Sequence, residues 1–176
     1  MGALFAEYQP DSAGTAVTVD VEPLSRAHLD ACVALAVQRD GGEEAAWEKA
    51  LGRSLDADDR ATSVALVDGR VAGYGTAAWF APRDSDPDSA MPEGWYLLGL
   101  VVDARCRRRG VGRQLTVARL RWLQQRTDRA WYFASSANRP SIDLHTELGF
   151  QLIATDIEVP GVSFTVSGLL YGVNFA

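Results

Sequence analysis

The run Leu100-Val101-Val102-Asp103-Ala104-Arg105-Cys106-Arg107-Arg108-Arg109-Gly110-Val111-Gly112-Arg113 constrains this chain more than any other stretch. Apolar residues of strand character lead into a short turn, three consecutive arginines, Gly-x-Gly, and then the apolar period of an amphipathic helix. That order sets a helix N-terminus directly after a strand. The first-turn N–H groups of a helix lack intrahelical acceptors, and the aligned peptide dipoles add positive potential there. Gly110 and Gly112 let backbone approach a ligand closely, and guanidinium charge surrounds the spot. The combination is an anion site suited to phosphate or pyrophosphate.

The charge distribution agrees with a small anion. The formal net charge is -6, yet nine of the 17 basic residues fall between Arg105 and Arg129, where Asp128 is the only acid. A concentrated patch on an acidic chain fits a small anionic ligand, whereas nucleic-acid binders spread their excess charge more widely. No nucleic-acid partner is expected. No apolar run is long enough to span a bilayer, and the start lacks the basic and apolar pattern of a signal peptide, so a cytoplasmic protein without membrane partner is expected. Cys32 and Cys106 have no metal-ligand spacing and read as free thiols, with no metal implied.

Residues 1–14 lack periodicity and read as a flexible leader, followed by one domain over 15–176. Thr15 to Val21 alternates like a strand. A helix follows Ser25, a candidate cap, and ends at Gly41-Gly42; a second runs from Glu43 to about Leu55. Asp68-Gly69 between two apolar runs predicts a tight hairpin. Residues 81–94 hold three prolines and read as a long loop. Trp95 to Val102 is an apolar strand, followed by a helix on which Arg119, Arg121 and Arg126 are expected to face solvent. A strand at Arg129–Ala134, a helix over Ser141–Leu148 and strands near Gln151–Glu158 and Val166–Asn174 complete the chain. The order β-α-α-β-β-β-α-β-α-β-β implies an α/β (α+β type) domain with a mixed sheet and helices on both faces.

Two motifs in this order resemble the GNAT superfamily of acyl-CoA-dependent N-acyltransferases. Arg107-Arg108-Arg109-Gly110-Val111-Gly112 is similar to the family's Gln/Arg-x-x-Gly-x-Gly/Ala pyrophosphate loop, which follows a Leu-x-Val strand, here Leu100-Val101-Val102. Asn138 to Phe150 is similar to its Asn-x-x-Ala/Ser-x-x-Leu-Tyr/His-x-x-Leu-Gly-Phe helix. The resemblance implies a single domain with a mostly antiparallel sheet of about seven strands, whose central pair splays where the Leu100–Val102 strand bulges. It implies acetyl-CoA as co-substrate, with the pyrophosphate on Arg107, Arg108, Arg109, Gly110, Val111, Gly112 and Arg113. The pantetheine would pair with the edge of Leu100, Val101 and Val102, and the acetyl carbonyl would lie near the Val102 N–H. Asn138 and Ser141 are further cofactor candidates; Asn138 also reads as a helix cap.

The implied reaction moves an acetyl group directly to a primary amine of a small molecule or peptide, in a protein that could form a homodimer. A non-catalytic acyl-CoA-binding sensor or scaffold is the alternative. Where family members commonly carry a Tyr that protonates the leaving thiolate, this chain has His145, a candidate general acid that could instead only pack beside the cofactor. Tyr96 and Glu93 are the candidate bases. Tyr96 stands where family members often place a Glu, and Glu93 lies at the edge of the preceding loop. The acceptor itself is not legible.

Overall fold

The Asp68-Gly69 pair turns as its residue types require. Asp68 has φ +50° and Gly69 φ +72°, the two positive angles that match a two-residue turn to the twist of its strands. The turn joins β2 (Arg60–Val67) to β3 (Arg70–Phe80), and β4 (Gly94–Val102) lies antiparallel on the other side of β3. The structure, a computed structural model, describes residues 15–86, 91–164 and 166–175. The expected leader 1–14 and residues 87–90 of the expected 81–94 loop lie outside the described residues.

The remaining elements follow the expected order. They are β1 (Asp20–Pro23), α1 (Arg26–Asp40), α2 (Glu44–Gly52), α3 (Val111–Gln124), β5 (Arg129–Ser135), α4 (Arg139–Glu147), β6 (Gln151–Thr155) and β7 (Gly168–Asn174). Among the described residues the strands form one seven-stranded sheet in the order β1-β2-β3-β4-β5-β7-β6, antiparallel throughout except for β4 beside β5. Helices cover both faces. Leu29, Cys32, Val33 and Ala36 of α1 pack with Val64, Tyr74 and Val101 on one face. On the other, Val111 and Leu115 of α3 pack with Ala65 and Ala72, and Leu123 with Tyr132, Ile142 and Phe150.

Three boundaries differ from the sequence expectation. Val17, Val19 and Val21 do share one apolar cluster, but the ladder with β2 begins only at Asp20. Strand β6 stops at Thr155 because Asp156 takes φ +56° and turns the chain. Ser25 occupies the N-cap position of α1 without capping it; its hydroxyl lies 3.2 Å from His28 Nδ1 instead. No helix among the described residues is long and apolar enough to cross a membrane.

A larger difference concerns Arg119. Its residue type suggested a solvated face, yet it is 2% exposed. Val111, Leu115, Arg119 and Leu123 are spaced by four and all are buried, so the arginine lies in the core stripe of α3. Arg126, in contrast, is exposed and stacks 3.8 Å over the Trp122 ring, next to an edge-to-face series of Trp122, Trp95 and Trp79.

Strand β3 meets the C-terminal end of β4 through Gly73. A Cβ there would stand 2.5 Å from the Val101 carbonyl oxygen, a backbone atom that cannot swing aside. Gly73→Ala is therefore expected to destabilise the fold by on the order of 2 kcal/mol in urea unfolding, as other overpacked sites do. Stability equal to wild type would show that β4 is free to move away from β3.

Candidate active site

Two strands that should run side by side part company in the middle of the sheet. Between β4 and β5 only Tyr96↔Trp131 and Leu97↔Tyr132 are in register. Past Leu97 the strands diverge, leaving the C-terminal half of β4 without a ladder partner on that side. The splayed pair expected from the family resemblance is present.

The divergence coincides with a bulge. On β3, Tyr74 faces Val101 and Thr76 faces Leu98, so the single residue Gly75 opposes both Gly99 and Leu100. Gly99 takes φ +52°, a left-handed conformation in which glycine carries no Cβ penalty. Beyond the bulge, the Asp103 N–H donates to the Ala72 carbonyl at 2.9 Å. In an antiparallel ladder hydrogen-bonded and non-bonded pairs alternate. The adjoining pair Gly73↔Val102 is thus of the non-bonded kind, and the Val102 N–H and C=O face away from β3, toward the gap. The Val102 carbonyl accordingly accepts from Arg107 Nε at 3.4 Å.

The chain then reaches the N-terminus of α3. Asp103 accepts from the Arg105 N–H at 2.9 Å and pairs with the Arg105 guanidinium, which holds its carboxyl below the usual carboxylate range. Arg108 (φ +58°) and Gly110 (φ +92°) bend the backbone into the helix. Gly110 is the N-cap residue and brings no side chain to cap the first-turn N–H groups. Gly112 faces Leu100, Val102 and Leu144, where a Cβ would find ordinary contacts of 3.7–3.8 Å. The bare helix end therefore lies beside β4 and α4. Arg113 pairs with Glu147 of α4 at 3.0 Å, and the Arg109 Nε donates to the Thr15 carbonyl at 3.3 Å. Val111 is buried under the turn.

Helix α4 brings the second motif to the same region. Asn138 is the N-cap residue of α4, but its side chain makes no cap bond. Ser141 accepts a hydrogen bond from the Tyr132 hydroxyl at 2.7 Å. His145 is 1% exposed, stacked on Tyr132 with ring centroids 3.6 Å apart and edge-on to Phe150. Its Nδ1 lies 2.8 Å from the Ser141 carbonyl oxygen. A carbonyl only accepts, so Nδ1 carries the proton and Nε2 presents a lone pair, buried and without a hydrogen-bond partner among the described residues. Burial pushes the imidazole pKa down to about 3, with the nearby Arg119 charge acting in the same direction against the Ser141 bond. His145 is thus neutral near pH 7 with its free nitrogen unprotonated, the opposite of what a resting proton donor needs.

The two base candidates stand in different surroundings. Tyr96 is fully buried, donates its hydroxyl to the Pro92 carbonyl at 2.6 Å, and is raised well above the ordinary phenol range by desolvation. A phenol already donating and this hard to ionise is a poor proton acceptor. Glu93 is exposed, just before β4. Six residues separate it from Gly99, about 20 Å at the rise of a strand. The bulge is instead surrounded by residues that sequence reasoning missed: Gly75, Gly99, Arg39 and Arg119. Only Arg119 carried a legible signal, a charge in an i, i+4 series of otherwise apolar residues. Among the described residues no group of His, Cys, Asp and Glu side chains could hold a metal ion.

The His145 environment has a consequence for stability. Unfolded, the imidazole titrates near 6.5; folded, only near 3. Between those values the unfolded chain binds the extra proton, so this contribution is complete above pH 6.5 and is lost as pH falls toward 3. The stability gap between wild type and His145→Phe is expected to shrink by a few kcal/mol from pH 7 to pH 4 in urea unfolding. A gap independent of pH would show the histidine to be solvated.

Comparison with known proteins bears on this geometry. No curated protein sequence matches the chain. Among solved structures, the ribosomal-protein-alanine N-acetyltransferase from Brucella melitensis superposes with a TM-score of 0.69 at 20% identity, over 88% of this chain and 99% of that one. Ard1 from Thermoplasma volcanium gives 0.67 at 18% identity, over 91% and 99%. AAC(6')-Iy, in complex with the bisubstrate analogue CoA-S-monomethyl-acetylneamine, gives 0.64 at 27% identity, over 76% and 91%. The family model for the acetyltransferase (GNAT) family matches residues 24–150, from the start of α1 through the end of the α4 motif. The chain belongs to the GNAT acetyltransferase family.

Proposed function

We propose that the protein transfers an acetyl group from acetyl-CoA to a primary amine of a small molecule or peptide. The observation that carries the reading is the uncapped N-terminus of α3 at the end of a strand whose outer edge has lost its partner. An anion and an amide-bearing arm extending from it are the two things such a site can hold together. Arg107, Arg108, Arg109, Gly110, Val111, Gly112 and Arg113 would hold the pyrophosphate through first-turn amides and positive charge. Leu100, Val101 and Val102 would offer the edge for the pantetheine, with Val102 supplying an outward N–H and C=O. Asn138 and Ser141, at the start of α4, would be further cofactor contacts in this reading. Bound there, acetyl-CoA supplies an activated acyl group; the chain's own part is to orient the thioester and to present an N–H to its carbonyl oxygen.

With His145 neutral, the Tyr96 hydroxyl donating to Pro92 and Glu93 exposed before β4, this reading leaves proton transfer to solvent or to the acceptor's surroundings. These features also favour a second reading, a protein that binds acyl-CoA without turnover. A homodimer is part of the proposal and rests on the family resemblance, and a cytoplasmic location is part of it and rests on the sequence pattern alone.

Wild type is expected to bind acetyl-CoA in calorimetry, and Gly112→Asp to lose that binding. The new side chain has room, so the effect is electrostatic: a carboxylate about 4 Å from a phosphate costs about 4 kcal/mol in a partly solvated site, two to three powers of ten in Kd. Absence of binding by wild type would overturn both readings. Binding without thiol release across a broad amine panel would select the second.

A further inference from the structure

Arginines reach the β4 bulge from both faces of the sheet and donate to backbone carbonyls on either side of Gly99. From the α3 face, Arg119 Nη1 donates to the Leu98 and Thr76 carbonyls, each at 3.1 Å. Its Nε donates to the Leu115 carbonyl at 3.3 Å and its Nη2 to the Thr116 hydroxyl at 3.0 Å. Among the described residues Arg119 makes no ion pair with a carboxylate, so peptide and hydroxyl dipoles alone balance a guanidinium that is 2% exposed. A buried charge so placed is costly unless every donor is matched. Gly75 makes the room: a Cβ there would stand 2.8 Å from the Arg119 Cζ. From the α1 face, Arg39 Nη1 donates to the Leu100 carbonyl at 2.8 Å, with Asp40 gripping the other side of its fork.

We propose that Arg39 and Arg119 are positioning residues that brace the β4 bulge from opposite faces and hold the strand edge that meets the acyl donor in its bulged path. The two carbonyls belong to the peptides Leu98–Gly99 and Leu100–Val101. No peptide bond among the described residues is cis, so the N–H of each points opposite to its arginine-bound carbonyl. A charged donor on a carbonyl polarises the whole amide and strengthens its N–H. The brace therefore does two things at once. It fixes the stretch from Leu98 to Val102 in its bulged path, and through the Leu98 carbonyl it biases the Gly99 amide toward donating to negative charge, while the Val101 N–H, in the pair Val101↔Tyr74, is turned to β3 and reports on the bulge alone. The value of the brace for catalysis rests on the acyl-transfer reading; its existence does not.

The experiment uses Arg39→Gln, a surface change at the end of α1, with Arg119→Lys and Gly75→Ala as probes from the other face. Amide shifts and hydrogen exchange are read first in the free protein. The Gly99 amide is expected to shift upfield and the ladder-paired Val101 amide to exchange at least about tenfold faster in the variants, with the amides of β7 unmoved. Binding is then compared, at high salt so that a lost charge is screened. Acetyl-CoA is expected to bind roughly tenfold more weakly to Arg39→Gln, while adenosine 3′,5′-bisphosphate, which lacks the pantetheine arm, stays within about twofold of wild type.

Unchanged Gly99 and Val101 amides together with unchanged acetyl-CoA binding would overturn the proposal. Equal weakening of both ligands would overturn it too, because the arginines would then act on the nucleotide. If wild type binds neither ligand, the acyl-donor reading fails and the amide measurements alone decide the brace. If Arg119→Lys does not fold, Arg39→Gln and Gly75→Ala carry the test.

Discussion

The departure of β4 from β5 after two residue pairs is the constraint on which the other features depend. A sheet interior rarely leaves backbone unpaired, because buried N–H and C=O groups without partners are costly. Here the cost is offset by several local solutions. Gly99 takes the left-handed angle, Gly75 vacates the space opposite, two arginines satisfy the carbonyls, and Arg107 reaches the Val102 carbonyl. Each solution is cheap only because the others are present. Replace Gly75 and Arg119 loses its seat; remove Arg119 and the Leu98 and Thr76 carbonyls lose a charged donor.

The same constraint explains where the chemistry can happen. The edge exposed by the divergence ends at the bare N-terminus of α3, so an anion site and a strand-pairing site are contiguous. The helix that follows β5 lies against the first turn of α3 through Leu144 and Gly112, closing the far side. Function enters this fold through a gap in regular structure, with glycine and arginine as the residues that permit and stabilise the gap.

Much of the architecture was legible in the sequence because it follows from local rules. Asp68-Gly69 set a hairpin, Gly41 ended a helix, and alternation or 3.6-residue periods marked nearly every element. The Arg107–Gly112 run and the Asn138–Phe150 helix located the region of the cleft. The proton-transfer residues were less legible, for a physical reason. A candidate acid or base is defined by its protonation state, and that depends on burial and partners brought from distant parts of the chain. Tyr132 lies thirteen residues before His145 and stacks on it, while the Ser141 carbonyl fixes its tautomer. Arg119 was misread because a charged residue type outweighed its place in the series with Val111, Leu115 and Leu123. Helical position was the better guide.

The parting of β4 and β5 also divides the molecule mechanically. Strands β1 to β4 are laced by long ladders, as are β5, β7 and β6, but only two residue pairs lace one set to the other. What spans the seam is side-chain packing: Ala77, Leu97 and Leu123 against Tyr132 and Phe150 on one face, Met91 and Tyr96 against Ile157 and Leu170 on the other. Hydrogen-bond ladders resist sliding, whereas apolar contacts are non-directional and yield to small rotations. The Tyr96–Leu97 junction is therefore where backbone hydrogen bonding offers the least resistance to a small rotation of one half-sheet against the other.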